Sequence, residues 1–159
     1  MKKIIYTILI STLIFSCKEN ELDSEKNLIS KKDDFNILLK KIEKEYKKEF
    51  LNRNNNNLLV FTYPTDKSIE YNSTSVKNIE TIIPMMEKLD ISEIIFEKYN
   101  PDCEANYGFN QANFKLKNKL ESGVVYYRYE YCGTTKKFES NSVYYSPINK
   151  NWSVFIEYW

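Results

Sequence analysis

The stretch that decides the fold is residues 123–132, GVVYYRYEYC. Its side chains alternate between two faces, as they do in a β-strand, where successive residues point to opposite sides. One face carries Val125, Tyr127, Tyr129 and Tyr131, and the other carries Tyr126, Arg128 and Glu130. This pattern predicts a strand with one face against a core and the other towards solvent.

Three neighbouring stretches show the same two-residue period, at residues 107–117, 136–145 and 152–158. In the last of them, Trp152, Val154, Ile156 and Tyr158 share one face. Residues 133–135 and 146–151 have the composition of hairpin connections. We therefore expect the C-terminal part of the chain to form a four-stranded antiparallel sheet.

A helical period precedes these strands. Between Asp33 and Leu51, apolar residues recur every three or four positions, which predicts an amphipathic helix packed on the sheet or on a partner. The apolar stripe consists of Phe35, Leu38, Leu39, Ile42, Tyr46 and Phe50. A second helix is expected around Ile79–Met86, with a break at Pro84.

The segments around the second helix are shorter. Residues 58–63 form a continuous apolar run that ends at a proline, which favours a buried strand. Residues 69–71 are expected to pair with that strand, and residues 91–99 fit either helix or strand. The predicted fold class is α+β, with an N-terminal helix and a helical middle packed on the four-stranded sheet. This layout resembles cystatin-like and NTF2-like domains.

The first sixteen residues, MKKIIYTILISTLIFS, have the features of an export signal. Two lysines precede an apolar run that is too short to span a bilayer. The run ends in Ile14-Phe15-Ser16-Cys17, which resembles the lipobox of bacterial lipoproteins. The resemblance implies cleavage before Cys17, lipidation of Cys17 with palmitate-type acyl chains, and anchoring in the cell envelope. We expect the lipid to be anchored in the outer membrane. Whether the domain is on the periplasmic or the surface side is left open.

Residues 17–32 are mostly polar and charged, and such a composition buries too little apolar surface to fold alone. We therefore expect a flexible tether between the lipid and a single domain at residues 33–159. Acidic residues soon after the cysteine, Glu19 and Glu21, also resemble surface-export signals of some Gram-negative lipoproteins.

With Cys17 lipidated, the remaining cysteines are Cys103 and Cys132. An exported protein meets an oxidising compartment, so a structural disulfide is expected. The alternative is a redox or metal pair. Because the chain contains no histidine, two cysteines alone make a poor metal site. We therefore predict neither a metal nor any other cofactor.

Several function classes lack their usual residues. The absence of histidine removes histidine-based acid–base and nucleophilic catalysis, and there is no phosphate-binding glycine loop. Removing residues 1–16 takes away Lys2 and Lys3, so the net charge changes from +1 to −1, which argues against nucleic acid as a partner. The remaining catalytic hypothesis is a hydrolase that uses Glu130, Glu139 and Glu157.

Aromatic residues make up 15% of the chain and concentrate in the predicted sheet. Tyr and Trp are frequent anchors in binding surfaces, but Tyr is also a favoured strand residue. We predict that a binding face outside the core contains Tyr126, Arg128, Tyr144, Phe155 and Trp159.

These features lead to three function hypotheses. The first is a membrane-anchored, non-enzymatic binding module with a protein partner, for example an inhibitor or immunity-type protein for a secreted or lytic enzyme. The second is a structural or assembly accessory of the cell envelope. The third is the carboxylate-dependent hydrolase.

Overall fold

The structure is a computed structural model. It describes residues 2–51, 58–63, 73–76, 78–97, 103, 109–117, 120 and 122–159, and it describes no side chains for residues 2–20 and 73–75. The helices are α1 (Lys2–Glu45), α2 (Lys47–Leu51) and α3 (Ile83–Lys88). The strands are β1 (Leu58–Thr62), β2 (Ser73–Ser75), β3 (Ile91–Glu97), β4 (Gln111–Leu116), β5 (Gly123–Glu130), β6 (Phe138–Glu139), β7 (Val143–Pro147) and β8 (Trp152–Tyr158).

The predicted four-stranded sheet is wrong. The described strands form one sheet of eight, in the order β2-β1-β3-β4-β5-β8-β7-β6. Seven strands, β1 and β3 to β8, are joined by antiparallel pairing, and β2 adds to β1 in parallel at one edge. The α+β class holds only in a loose sense, because the chain is mostly sheet with one long N-terminal helix.

The predicted helical middle is also wrong, because residues 91–97, which fitted either helix or strand, form β3. The buried strand predicted at residues 58–63 is present as β1, and it pairs with β3. In β3, Ile94 and Phe96 are fully buried, while Glu93, Ile95 and Glu97 point to the other face. Buried residues therefore alternate with a period of two in this segment, which fitted both helix and strand, and the segment is a strand. Pro84 is the second residue of α3, where a proline is tolerated because the N–H groups of the first helical turn have no partner within the helix. The strand expected at residues 69–71 lies outside the described residues.

The chain does not turn back on itself at residues 133–135. β5 pairs with β4 on one side and with β8 on the other, so β8 occupies the place expected for residues 136–145. The register sets Val154 opposite Tyr127 and Trp152 opposite Tyr129. Because all four side chains face the core, this pairing gives β5 a larger apolar neighbour than the short strand β6 would.

α1 lies across one face of the sheet, which we call the inner face. At the centre of the contact, the ring of Phe35 packs edge-on against Phe114, Tyr127 and Trp152, with centroids 5.4, 5.2 and 5.8 Å away. The Trp152 indole N–H donates to Asn36 Oδ1 at 3.0 Å. The predicted stripe residues of α1 and α2 are all buried: Phe35, Leu38, Leu39, Ile42, Tyr46 and Phe50.

The structure differs from the predicted tether over residues 21–32. This segment continues α1 and packs on the inner face, where the side chain of Leu28 is 0% exposed. Asn27 Nδ2 donates to the Tyr127 hydroxyl at 2.7 Å, and the hydroxyl groups of Tyr144 and Tyr158 donate to Glu25 and Glu21. The polar residues thus have buried tyrosines as partners, which composition alone does not reveal.

The predicted disulfide between Cys103 and Cys132 is confirmed, with Cα atoms 6.0 Å apart. Cys132 lies two residues after the end of β5, so the bond ties the segment before β4 to that end of the strand. Among the described residues, no helix is both long enough and apolar enough to span a bilayer.

The packing of residues 21–32 predicts different effects for two leucines of that segment. Leu28→Ala should lower the free energy of unfolding by about 2–5 kcal/mol, because it opens a cavity between α1 and the sheet. Leu22→Ala, at a side chain 52% exposed, should change it by less than about 0.5 kcal/mol. Urea unfolding of both variants measures the difference. Equal, near-zero effects would contradict the packing.

Candidate functional site

The face of the sheet opposite α1 is the outer face. Strand register aligns four of its side chains in one row across the sheet, namely Ile95, Asn113, Arg128 and Ser153 from β3, β4, β5 and β8. The described helices pack their buried residues into the core on the inner face. The row therefore lies on a face where α1 makes no contact.

Arg128 is held in one orientation by two neighbours. Its guanidinium carbon lies 4.1 Å from the centroid of the Phe155 ring, and its Nε donates to Asn113 Oδ1 at 2.7 Å. Tyr126 packs beside Phe155, with ring centroids 5.9 Å apart. Arg128 belongs to none of the ion pairs found in the described ranges. Its terminal amino groups are thus fixed in place without a carboxylate partner there.

These residues line a concavity of about 170 Å³, together with two carboxylates. The lining consists of Ile95, Glu97, Asn113, Tyr126, Arg128, Phe155 and Glu157. Pockets for small-molecule ligands and cofactors usually measure roughly 300–1,000 Å³. The size of this concavity fits a single inserted side chain better than a whole cofactor.

The site is rich in negative charge around one fixed cation. Burial first, and then the negative charges of Glu157, Glu93 and Glu97, together raise the pKa of Tyr126 to about 12. Glu93 pairs with Lys115 at 3.5 Å, and the side-chain amide of Gln111 donates to Glu97. Tyr126 therefore remains a neutral phenol at physiological pH and can donate a hydrogen bond.

The structure brings together three of the five residues predicted for a binding face: Tyr126, Arg128 and Phe155. Tyr144 does not belong to this face. It is 2% exposed, lies opposite Ile156, and donates its hydroxyl to Glu25 of α1. Its side chain is on the inner face because β7 takes its register from β8. Trp159 is 70% exposed, follows the end of β8 and is not among the residues that line the concavity.

Sequence reasoning missed Ile95, Glu97 and Asn113. Ile95 and Glu97 belong to β3, where the alternation of glutamates with Ile94 and Phe96 was the available signal. Asn113 lies on β4 within a mostly apolar sequence, and its role depends on being opposite Arg128. No pattern within β4 or β5 alone predicts that register.

The three glutamates of the hydrolase hypothesis do not converge. Glu157 lies opposite Val124 at the start of β5, whereas Glu130 is at the other end of that strand, about 20 Å away at ~3.3 Å per residue. Glu139 is paired with Tyr144, which faces the core. Glycosidases need two carboxyl groups within about 10 Å. Among the described residues, no group of three or more ligands could hold a metal ion.

Comparison with protein-family models, curated proteins and solved structures found no match to this chain. The residues of the outer face and the N-terminal motif are therefore the features of the chain that bear on its function.

Proposed function

We propose that the chain is a lipid-anchored, non-enzymatic binding module that holds a protein partner on the outer face of its sheet. The observation that carries this proposal is the fixed cluster of Arg128, Phe155 and Tyr126 around a small concavity. The lipobox-like Ile14-Phe15-Ser16-Cys17 supports the anchor, with the outer membrane as the proposed location.

The cluster has the physical properties of an interface anchor. Tyr and Arg are enriched among residues that contribute most to binding. Tyr brings a large contact area at a low cost in rotamer entropy. Stacking on Phe155 and the bond to Asn113 restrict Arg128 before any partner arrives. Little side-chain entropy is then lost on binding.

The charges of the concavity limit what can enter it. The lining combines two carboxylates, Glu97 and Glu157, with the apolar side chains of Ile95 and Phe155. A partner side chain with an apolar stem and a cationic or hydrogen-bond-donating end, such as lysine or arginine, matches both features. The terminal amino groups of Arg128, which have no carboxylate partner among the described residues, can then donate to a carbonyl or carboxylate of the same partner.

The anchor can be tested by metabolic labelling with palmitate in a bacterial host. The chain should incorporate label and fractionate with membranes, and Cys17→Ala should abolish both, because acylation requires the thiol. Cys132→Ala is the control. Because Cys132 is in the disulfide and is not the lipidated cysteine, this substitution should leave labelling unchanged. Labelling of Cys17→Ala would contradict the lipidation.

The binding face can be tested by photocrosslinking in the producing cell. A photoreactive residue at Ile95, in the concavity, should give a specific protein adduct, and the adduct should fall at least about tenfold with Arg128→Ala. The matched control is the same residue at Ile37, which is exposed on α1. Equal adducts from both positions, or none from Ile95, would contradict the proposal.

Mass spectrometry of the adduct separates the two partner classes. A secreted or lytic enzyme supports an inhibitory role, whereas an envelope component supports an assembly role.

A further inference from the structure

The distance between the lipidated cysteine and the folded domain is short. Only residues 18–20 lie between Cys17 and Glu21, where the described contacts of α1 with the sheet begin. Four steps along a helix cover about 6 Å, and four fully extended residues reach at most about 14 Å. If Cys17 is lipidated, the end of the domain that contains Glu21 therefore lies at the bilayer surface.

That end of the domain has two exposed apolar side chains. The Tyr158 hydroxyl donates to Glu21 Oε1 at 2.7 Å, and this contact places the C-terminal end of β8 beside the start of the packed helix. The next residue, Trp159, donates its backbone N–H to Ser122 and has a side chain that is 70% exposed. Leu22, beside Glu21 in α1, is 52% exposed.

We propose that Trp159 and Leu22 insert into the headgroup region of the bilayer that holds the lipid of Cys17. Trp is enriched at membrane–water interfaces, because its ring is apolar and its indole N–H can still bond to water or headgroups. This inference depends on the proposed lipidation of Cys17. The tip formed by Trp159 and Leu22 is then a second contact with the membrane, and it fixes the orientation of the domain.

The charges at this end of the domain determine which lipid headgroups fit it. Glu21 and Asp23 flank Leu22, and Lys26 pairs with Asp23 at 3.6 Å, so these three side chains keep a net negative charge that an anionic surface would repel. Zwitterionic phosphatidylethanolamine therefore fits better than anionic phosphatidylglycerol. Phe155 lies three residues before Tyr158, or about 10 Å along β8, so the outer-face concavity opens close to the bilayer.

Tryptophan fluorescence tests the proposal, because the chain has only two tryptophans. Trp159 is exposed, whereas Trp152 is 2% exposed in the core and serves as an internal control. The full chain is produced in a lipidating bacterium, purified in detergent and reconstituted into phosphatidylethanolamine–phosphatidylcholine vesicles. We expect a blue-shifted Trp159 emission that is quenched by lipids with a nitroxide near the headgroup, and Trp159→Phe should remove both effects. Leu22→Glu should weaken the quenching.

Vesicle flotation separates the two ways in which the proposal can fail. If the wild-type chain does not float, the anchor fails and this inference fails with it. If it floats and Trp159 is not quenched, the anchor stands and the inference is wrong. A blue shift without quenching means that Trp159 is covered by protein, either a partner or a second copy, and also overturns the proposal.

Discussion

The packing of α1 on the inner face of the sheet is the interaction on which the rest of the structure depends. Phe35 touches Phe114, Tyr127 and Trp152, side chains from three adjacent strands, so one helix residue connects β4, β5 and β8. With one face covered in this way, the other side chains of the alternating strands, among them Tyr126, Arg128 and Phe155, lie on the opposite face. The position of Arg128 and Phe155 on the outer face is thus a consequence of where α1 lies.

A second set of contacts extends this packing towards the N-terminus. Tyrosines of the sheet bond to polar residues of α1 over more than five helical turns, from Glu21 to Glu43. Because a tyrosine buries its ring and keeps a hydroxyl for bonding, a polar helix segment can dock on an apolar sheet without unpaired groups. The same contacts bring the end of β8 close to Cys17 in the chain, and under the proposed lipidation of Cys17 this proximity would place the outer face near the membrane.

Much of the local structure could be predicted from the sequence, because period-two and period-3.6 patterns depend on the segment itself. The strands around Tyr127 and Trp152 and the stripe of α1 follow from such patterns, and so does the disulfide, given export. The order of the strands could not be predicted, since pairing of β5 with β8 rather than with its neighbour in sequence is a tertiary choice. For the same reason the sequence identified Tyr126, Arg128 and Phe155 but misplaced Tyr144, whose face depends on its register with Ile156.

Native-state hydrogen exchange along α1 is the most direct test of the packing of residues 21–32 on the sheet. If residues 21–32 are packed on the sheet, their amides exchange only through large openings and are protected to a degree similar to residues 33–45 of the same helix. We expect this protection to be continuous from Leu28 through Ile42. The packing would be contradicted if residues 21–32 exchanged at the rate of an unstructured chain and protection began only after Asp33. That result would support a flexible tether instead.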